Sequence, residues 1–163
     1  VHIGIINLTN NDNGIPIGLI SLTRSGSYHL SSWMDNSGMM YSTLTHYNNY
    51  VFNTYGFGYD PVYKKSLSGI GFGAHARKGN FSATLDISSY SYMIKNMNRN
   101  SVRLKLHYYF SDRFSIFAGA SYNHLWKSDN DIKVASPHGY GYTKQSNSGK
   151  NSFWPGLFFG FEI

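Results

Sequence analysis

Seven ionisable residues fall where strand alternation sets them on polar faces of neighbouring strands: His75, Arg77, Asp86, Arg103, Lys105, His107 and Glu162. Arg103, Lys105 and His107 are spaced by two, so on a strand they share one face. Buried charges must be paired. A carboxylate such as Asp86 opposite a base such as Arg103 therefore reads as a lumen network that holds a closed barrel rigid. A narrow polar pore or a ligand pocket is the functional alternative. The same residues offer little for catalysis. The histidines show no metal-ligand spacing, and His75, His107 and His124 lie on three different predicted strands. Ser121 and His124 have opposite parity, so a direct nucleophile–base pair is not expected. Gly69-Ile70-Gly71-Phe72-Gly73 alternates glycine with apolar residues and no helix follows, which fails the context of a dinucleotide loop. Those glycines instead make room in a narrow lumen. No catalytic residue, metal site or cofactor is predicted.

The composition narrows the class. The chain has 163 residues, 17% of them aromatic and only 13% charged, with 17 glycines and no cysteine. One domain, 1–163, is expected. Few charges with many aromatics argue against disorder and against an ordinary soluble surface. Without cysteine there is no disulfide scaffold, thiolate metal site or catalytic thiol. The net charge of +6 comes from bases spread along the chain. A nucleic-acid surface would cluster them, so no nucleic-acid partner is expected. No stretch approaches the roughly 20 apolar residues of a spanning helix.

The elements that must position these residues repeat with a period of two. In Ser101 to Phe110, Val102, Leu104, Leu106, Tyr108 and Phe110 face one way, and Ser101, Arg103, Lys105, His107 and Tyr109 the other. The same alternation runs through 67–76, 81–93, 114–126 and 153–163, and more weakly through 27–34, 39–47 and 50–59. The run 93–100 is short and rich in Asn and reads as a loop. Ahead of these, Ile3-Gly4-Ile5-Ile6-Asn7-Leu8-Thr9 recurs as Ile17-Gly18-Leu19-Ile20-Ser21-Leu22-Thr23, fourteen residues later. Residues 1–23 are thus a two-copy opening repeat and 27–163 the main strands. Many strands in a row must dispose of two edges, and closure does so. The predicted fold is all-β, an antiparallel up-and-down β-barrel of about 8–10 strands.

Short turns at 76–80 and 111–113 alternate with longer connections at 59–66, 93–100 and 127–152. That alternation suits a bacterial membrane barrel with the chain end on the periplasmic side. Tyr90, Tyr92, Tyr108, Tyr109, Tyr122, Trp126, Phe153 and Trp154 near strand ends are candidates for an aromatic girdle.

The opening repeat, the run Ser32-Trp33-Met34-Asp35-Asn36-Ser37-Gly38 and the closing Phe153-Trp154-Pro155-Gly156-Leu157 resemble bacterial surface-repeat proteins, outer-membrane β-barrel proteins with Gly-Leu-Ile-Asn type repeats. The resemblance implies a surface or outer-membrane location and no chemistry. The terminal run Leu157 to Ile163 also resembles the strand by which assembly machinery recognises outer-membrane barrels, although it ends in Ile163 and carries Phe161 two places earlier.

The expected function is that of an outer-membrane barrel at the bacterial cell surface, serving as anchor, adhesin or assembly subunit without catalysis. Its partners are outer-membrane lipid or lipopolysaccharide and a protein met by the 127–152 loop. Trp126, His138, Tyr140, Tyr142 and Lys144 are the candidate binding residues there. Two alternatives stay open: a soluble β-barrel that binds an apolar ligand or packs in a larger assembly, and a small lipid-modifying barrel enzyme.

Overall fold

The computed structural model describes residues 2–3, 6–9, 16–17, 20–23, 26–93, 97–128, 141–146 and 149–163. Among the described residues thirteen strands follow in chain order. The opening repeat gives β1 (His2–Ile3), β2 (Ile6–Thr9), β3 (Pro16–Ile17) and β4 (Ile20–Thr23). Then come β5 (Ser27–Asp35), β6 (Met40–Tyr47), β7 (Val51–Asp60), β8 (Lys65–Lys78), β9 (Phe81–Tyr92), β10 (Met97–Ser111), β11 (Phe114–Lys127), β12 (Tyr142–Ser146) and β13 (Gly149–Glu162).

Eight of these, β5 to β11 and β13, close into an antiparallel barrel. Each pairs with its sequence neighbour, and β13 joins β11 on one side and β5 on the other. Connections 48–50, 79–80 and 112–113 lie at one end with the last residue of β13. Connections 36–39 and 61–64 lie at the other, where β9 and β11 end and β10 and β13 begin. The tightest is the Gly79-Asn80 hairpin. Gly79 has a φ of +60°, the left-handed sign that the first central residue of a primed two-residue turn requires.

Alternation decides which side chain faces in. Along β10 every odd residue from Met97 to Tyr109 is buried, while Val102, Leu104, Leu106, Tyr108 and Phe110 are exposed. Along β9 the pattern is equally regular, with Ser82, Thr84, Asp86 and Ser88 inside and Phe81, Ala83, Leu85 and Ile87 outside. The glycines of β8 yield space to large neighbours in the lumen. A Cβ on Gly73 would lie 2.5 Å from the Phe52 ring, and one on Gly69 2.7 Å from Tyr90.

Four sequence expectations need correction. The run 93–100 is not all loop, because β10 begins at Met97, where Asn98 faces Ser91 and Arg99 faces Tyr90. Cross-strand burial of Arg99 outweighs the poor strand propensity of asparagine. Second, the 127–152 connection contains a strand of its own, since β12 folds back on β13 from Tyr142↔Phe153 to Ser146↔Gly149. Third, the opening runs, which the upper count of ten strands takes into the wall, are not barrel strands. They pair with each other in parallel, β1 with β3 and β2 with β4, every pair fourteen residues apart. Fourth, Tyr90, Tyr92, Tyr109 and Trp154 belong to no girdle, because parity turns them inward and buries them.

Two local features follow from this layout. β12 covers β13 up to Phe153, and β5 takes over only at Phe158. Between them lies a notch in the wall, and Pro155 sits in it. A proline has no N–H to give a neighbouring strand, so an unpaired stretch of edge is where it fits. The side chain of Asn36 reaches this edge, its Oδ1 accepting from Leu157 N at 3.2 Å. The second feature is at the opposite end. His46 and Asn53 face each other on β6 and β7 and point outward, yet both are fully buried. β4 lies against β7, and Gly26 passes so close to the His46 ring that a Cβ would strike it.

Candidate functional site

The lumen is packed with side chains at three levels. At the long-connection end, Arg99 donates to Asp35 Oδ2 at 2.7 Å and to Asn123 Oδ1 at 3.0 Å. Asp35 Oδ1 also accepts from the backbone N–H groups of Ser37 and Met39 and from the Ser37 hydroxyl. Tyr92 donates to Asp60 at 2.6 Å. Around this ion pair and the Tyr92–Asp60 hydrogen bond lies an apolar plug that includes Met39, Leu67, Met97, Leu125 and Trp154. At mid-height, Arg103 Nε donates to Asp86 Oδ1 at 2.7 Å, and Lys105 Nζ lies 3.4 Å from the other carboxylate oxygen. The Arg103 guanidinium also lies over the Trp33 ring at 4.9 Å. At the short-turn end, Glu162 accepts from Ser31 at 2.8 Å, Tyr47 at 3.2 Å and Tyr109 at 3.4 Å, with His29 Nδ1 at 3.5 Å.

The residues expected in a lumen network therefore separate. Asp86, Arg103, Lys105, His107 and Glu162 are inside and buried. His75 is partly exposed at the rim, its ring Nε2 2.6 Å from the Asn48 carbonyl. Arg77 is exposed, and it pairs with Asp112 at 3.1 Å and lies over the Tyr109 ring. The lumen also holds ion-pair partners that the reading of sequence passed over, Arg99 and Asp35. Continuing the odd parity of Arg103 and Ser101 back by one step finds Arg99.

The outer wall is the inverse of the lumen. Leu106 is 63% exposed while the next residue, His107, is 2% exposed. Aromatic rings edge the apolar band at the short-turn end, where Phe81 meets Tyr108, Tyr108 meets Phe110 and Phe110 meets Phe114, with centroids 5.0–5.8 Å apart. Toward the other end Tyr122 and His124 stack on Phe153. From the level of His124 onward the outward positions of β9 and β10 turn polar, with Ser89, Ser91, Asn98 and Asn100.

Above this collar stands the β12–β13 hairpin. Of the candidate binding residues, Trp126 is half-buried on β11, and Tyr142 and Lys144 are exposed on β12. His138 and Tyr140 lie outside the described residues. In the nearby turn 61–64, Tyr63 packs edge-on against Tyr92 at 6.1 Å. Burial, with the Asp60 carboxylate adding to it, pushes its hydroxyl up to about 12. Among the described residues no group of three His, Asp or Glu side chains converges in a way that could hold a metal ion.

Neither a protein-family model nor a curated protein matches the chain. Among solved structures, one from work on the de novo design of transmembrane β-barrels is similar in fold, with a TM-score of 0.53 over 83% of this chain and 91% of that one, at 8% identity.

Proposed function

We propose that the chain is a membrane-spanning barrel of the bacterial outer membrane, a rigid anchor without catalysis. It carries the β12–β13 hairpin and the 128–148 connection at the cell surface as its contact region for a partner. One observation carries the reading. Along β9 and β10 the charges face in and every leucine, isoleucine and phenylalanine faces out, and on β11 Lys127 faces in and Phe114 and Ile116 face out, while Phe117 and Leu125 help to fill the lumen. In water that arrangement would leave a continuous apolar belt exposed, far beyond the patches that soluble monomers carry. In a bilayer it is the arrangement that costs least.

The dimensions agree with it. From Val102 to Phe110 the outward positions of β10 are apolar throughout. That run spans about 27 Å along the strand and about 20 Å of height at a usual barrel tilt, near the apolar band of membrane barrels. The even strand number and the turns kept short at one end add support. So does the resemblance of the opening repeat to surface-repeat proteins. The plugged lumen favours an anchor over a pore, because an ion would have to displace Arg103, Asp86 and the aromatic rings packed beside them.

Heat-modifiable migration tests the reading. The purified chain in detergent, run unboiled and boiled on a denaturing gel, should give two mobilities, and carbonate extraction should leave it in the outer-membrane fraction. A single mobility with release by carbonate would overturn it.

A further inference from the structure

The outer wall carries a groove of about 770 Å³ near the short-turn end. Its floor follows from register. Ala76 faces Ala83, Ala83 faces Leu106, Leu106 faces Ala118 and Ala118 faces Phe159 across five adjacent strands. Three of those five positions are alanine, so the wall is thin there. Phe81, Tyr108 and Ile116 stand along its lower side. Lys78, which faces Phe81 across the β8–β9 pair and points outward by parity, lines the same groove where it reaches the rim.

The charge at that rim is in excess. Arg77 is engaged with Asp112, whose side chain is almost fully exposed. Lys78 has no ion-pair partner among the described residues, and Arg113 stands in the adjoining turn at 112–113. Lys78 and Arg113 thus add positive charge to a rim where Arg77 and Asp112 balance each other. An apolar trough that opens onto surplus positive charge at a membrane boundary matches one chemistry, an acyl chain with a phosphate at its end. Aromatic rings beside the rim suit the interfacial region between the two, and lysine near an anionic membrane surface is favoured electrostatically.

We infer that this groove binds a single anionic phospholipid from the leaflet on the short-turn side. The acyl chain lies over Ala76, Ala83 and Ala118, and the phosphate lies against Lys78. The inference rests on the membrane reading above and gives that reading a specific lipid contact.

Native mass spectrometry of the full chain released from nonionic detergent micelles tests it, with phosphatidylglycerol and phosphatidylcholine of identical acyl chains added in turn. The wild-type chain should retain one phosphatidylglycerol, and phosphatidylcholine should bind at least tenfold more weakly. Lys78→Gln should weaken phosphatidylglycerol at least fivefold and leave phosphatidylcholine unchanged. Ala83→Phe, which fills the floor, should remove both lipids while the unboiled gel mobility stays that of the folded barrel. Should Ala83→Phe fail to fold, Ala118→Leu serves the same purpose. Equal retention of the two lipids, or full phosphatidylglycerol binding in both Lys78→Gln and a folded floor variant, would overturn the groove while the heat-modifiable shift still stands. Loss of the gel shift in the wild type would instead overturn the membrane reading, and the groove with it.

Discussion

Arg103 and Asp86 occupy directly facing positions on β10 and β9 and meet inside the barrel at 2.7 Å, with both side chains almost wholly shielded from solvent. Lys105, two residues on, reaches the same carboxylate. One acid thus answers two bases, and this is where the lumen is most sensitive to change.

Asp86→Ala should destabilise the barrel by about 3–5 kcal/mol, because it leaves Arg103 and Lys105 buried without their counter-charge. Replacing the acid and Arg103 together, as Asp86→Leu with Arg103→Met, should recover the part of that loss that Arg103 carries and leave the part due to Lys105, which stays buried without its carboxylate. Urea unfolding in detergent, followed by the gel shift, measures both. If the double variant were no better than the single one, the ion pair would not be the source of the cost.

Leu104 and Ser89 both face outward, one in the apolar band and one in the polar collar. Leu104→Arg should cost about 2–4 kcal/mol in a bilayer, whereas the same change in the collar should cost close to nothing. Equilibrium folding into lipid vesicles gives the comparison. Equal effects at the two positions would contradict a membrane boundary between them.

Gly73→Ala places a methyl group against the Phe52 ring, the Leu85 carbonyl and the Asp86 side chain. It should destabilise by about 1–3 kcal/mol, as overpacking does. Gly79→Asn puts its Cβ in open space, and asparagine tolerates the left-handed turn, so that variant should unfold at nearly the wild-type urea concentration.

Replacing residues 128–148 with a short turn should leave the eight-strand barrel closed, since β12 pairs only with β13. The gel shift should persist. Binding to immobilised lipopolysaccharide or to a captured surface partner should be lost, because Tyr142 and Lys144 go with the segment. Retained binding would move the contact region elsewhere on the chain.

Tyr63 gives a pH signature outside the strands. Its hydroxyl is pushed up from 10.0 to about 12, so the folded state holds that proton more tightly than the unfolded one does. The contribution to stability is present below pH 10 and is lost as the pH rises through 12. An absorbance titration of phenolate should show one tyrosine fewer in the high class after Tyr63→Phe. If the missing tyrosine came from the ordinary class instead, the ring would be freely solvated.

Much of the fold was legible in the sequence because a strand with one polar and one apolar side writes its parity into the chain. Val102 to Phe110 displayed both the barrel wall and the cationic side of the lumen. What escaped notice was long-range. Asp35 stands beside Arg99 only because β5 and β10 line the same lumen, and no local spacing encodes that. Tyr90 and Tyr92 looked like girdle residues because tyrosine suits an interface, yet Tyr90 fills volume that Gly69 of β8 leaves free and Tyr92 turns inward to Asp60. His46 and Asn53 are polar at outward positions, and their burial depends on the opening repeat, which periodicity alone could not place.

A ring assembled from a linear chain has one joint made last. Here it lies between β5 and β13, and it is unequal to its neighbour. Thirteen facing pairs join β11 to β13, but only five, from Asp35↔Phe158 to Ser31↔Glu162, join β13 to β5. Exchanges between Leu30 and Ile163 and between Asn36 and Leu157 extend it at each end. Because it unites the two most sequence-distant strands of the wall, its formation must wait for the rest of the meander. The barrel therefore has a built-in latch. A chain caught half-assembled would present β5 and β13 as free edges, and a pull on the finished ring would part it there first.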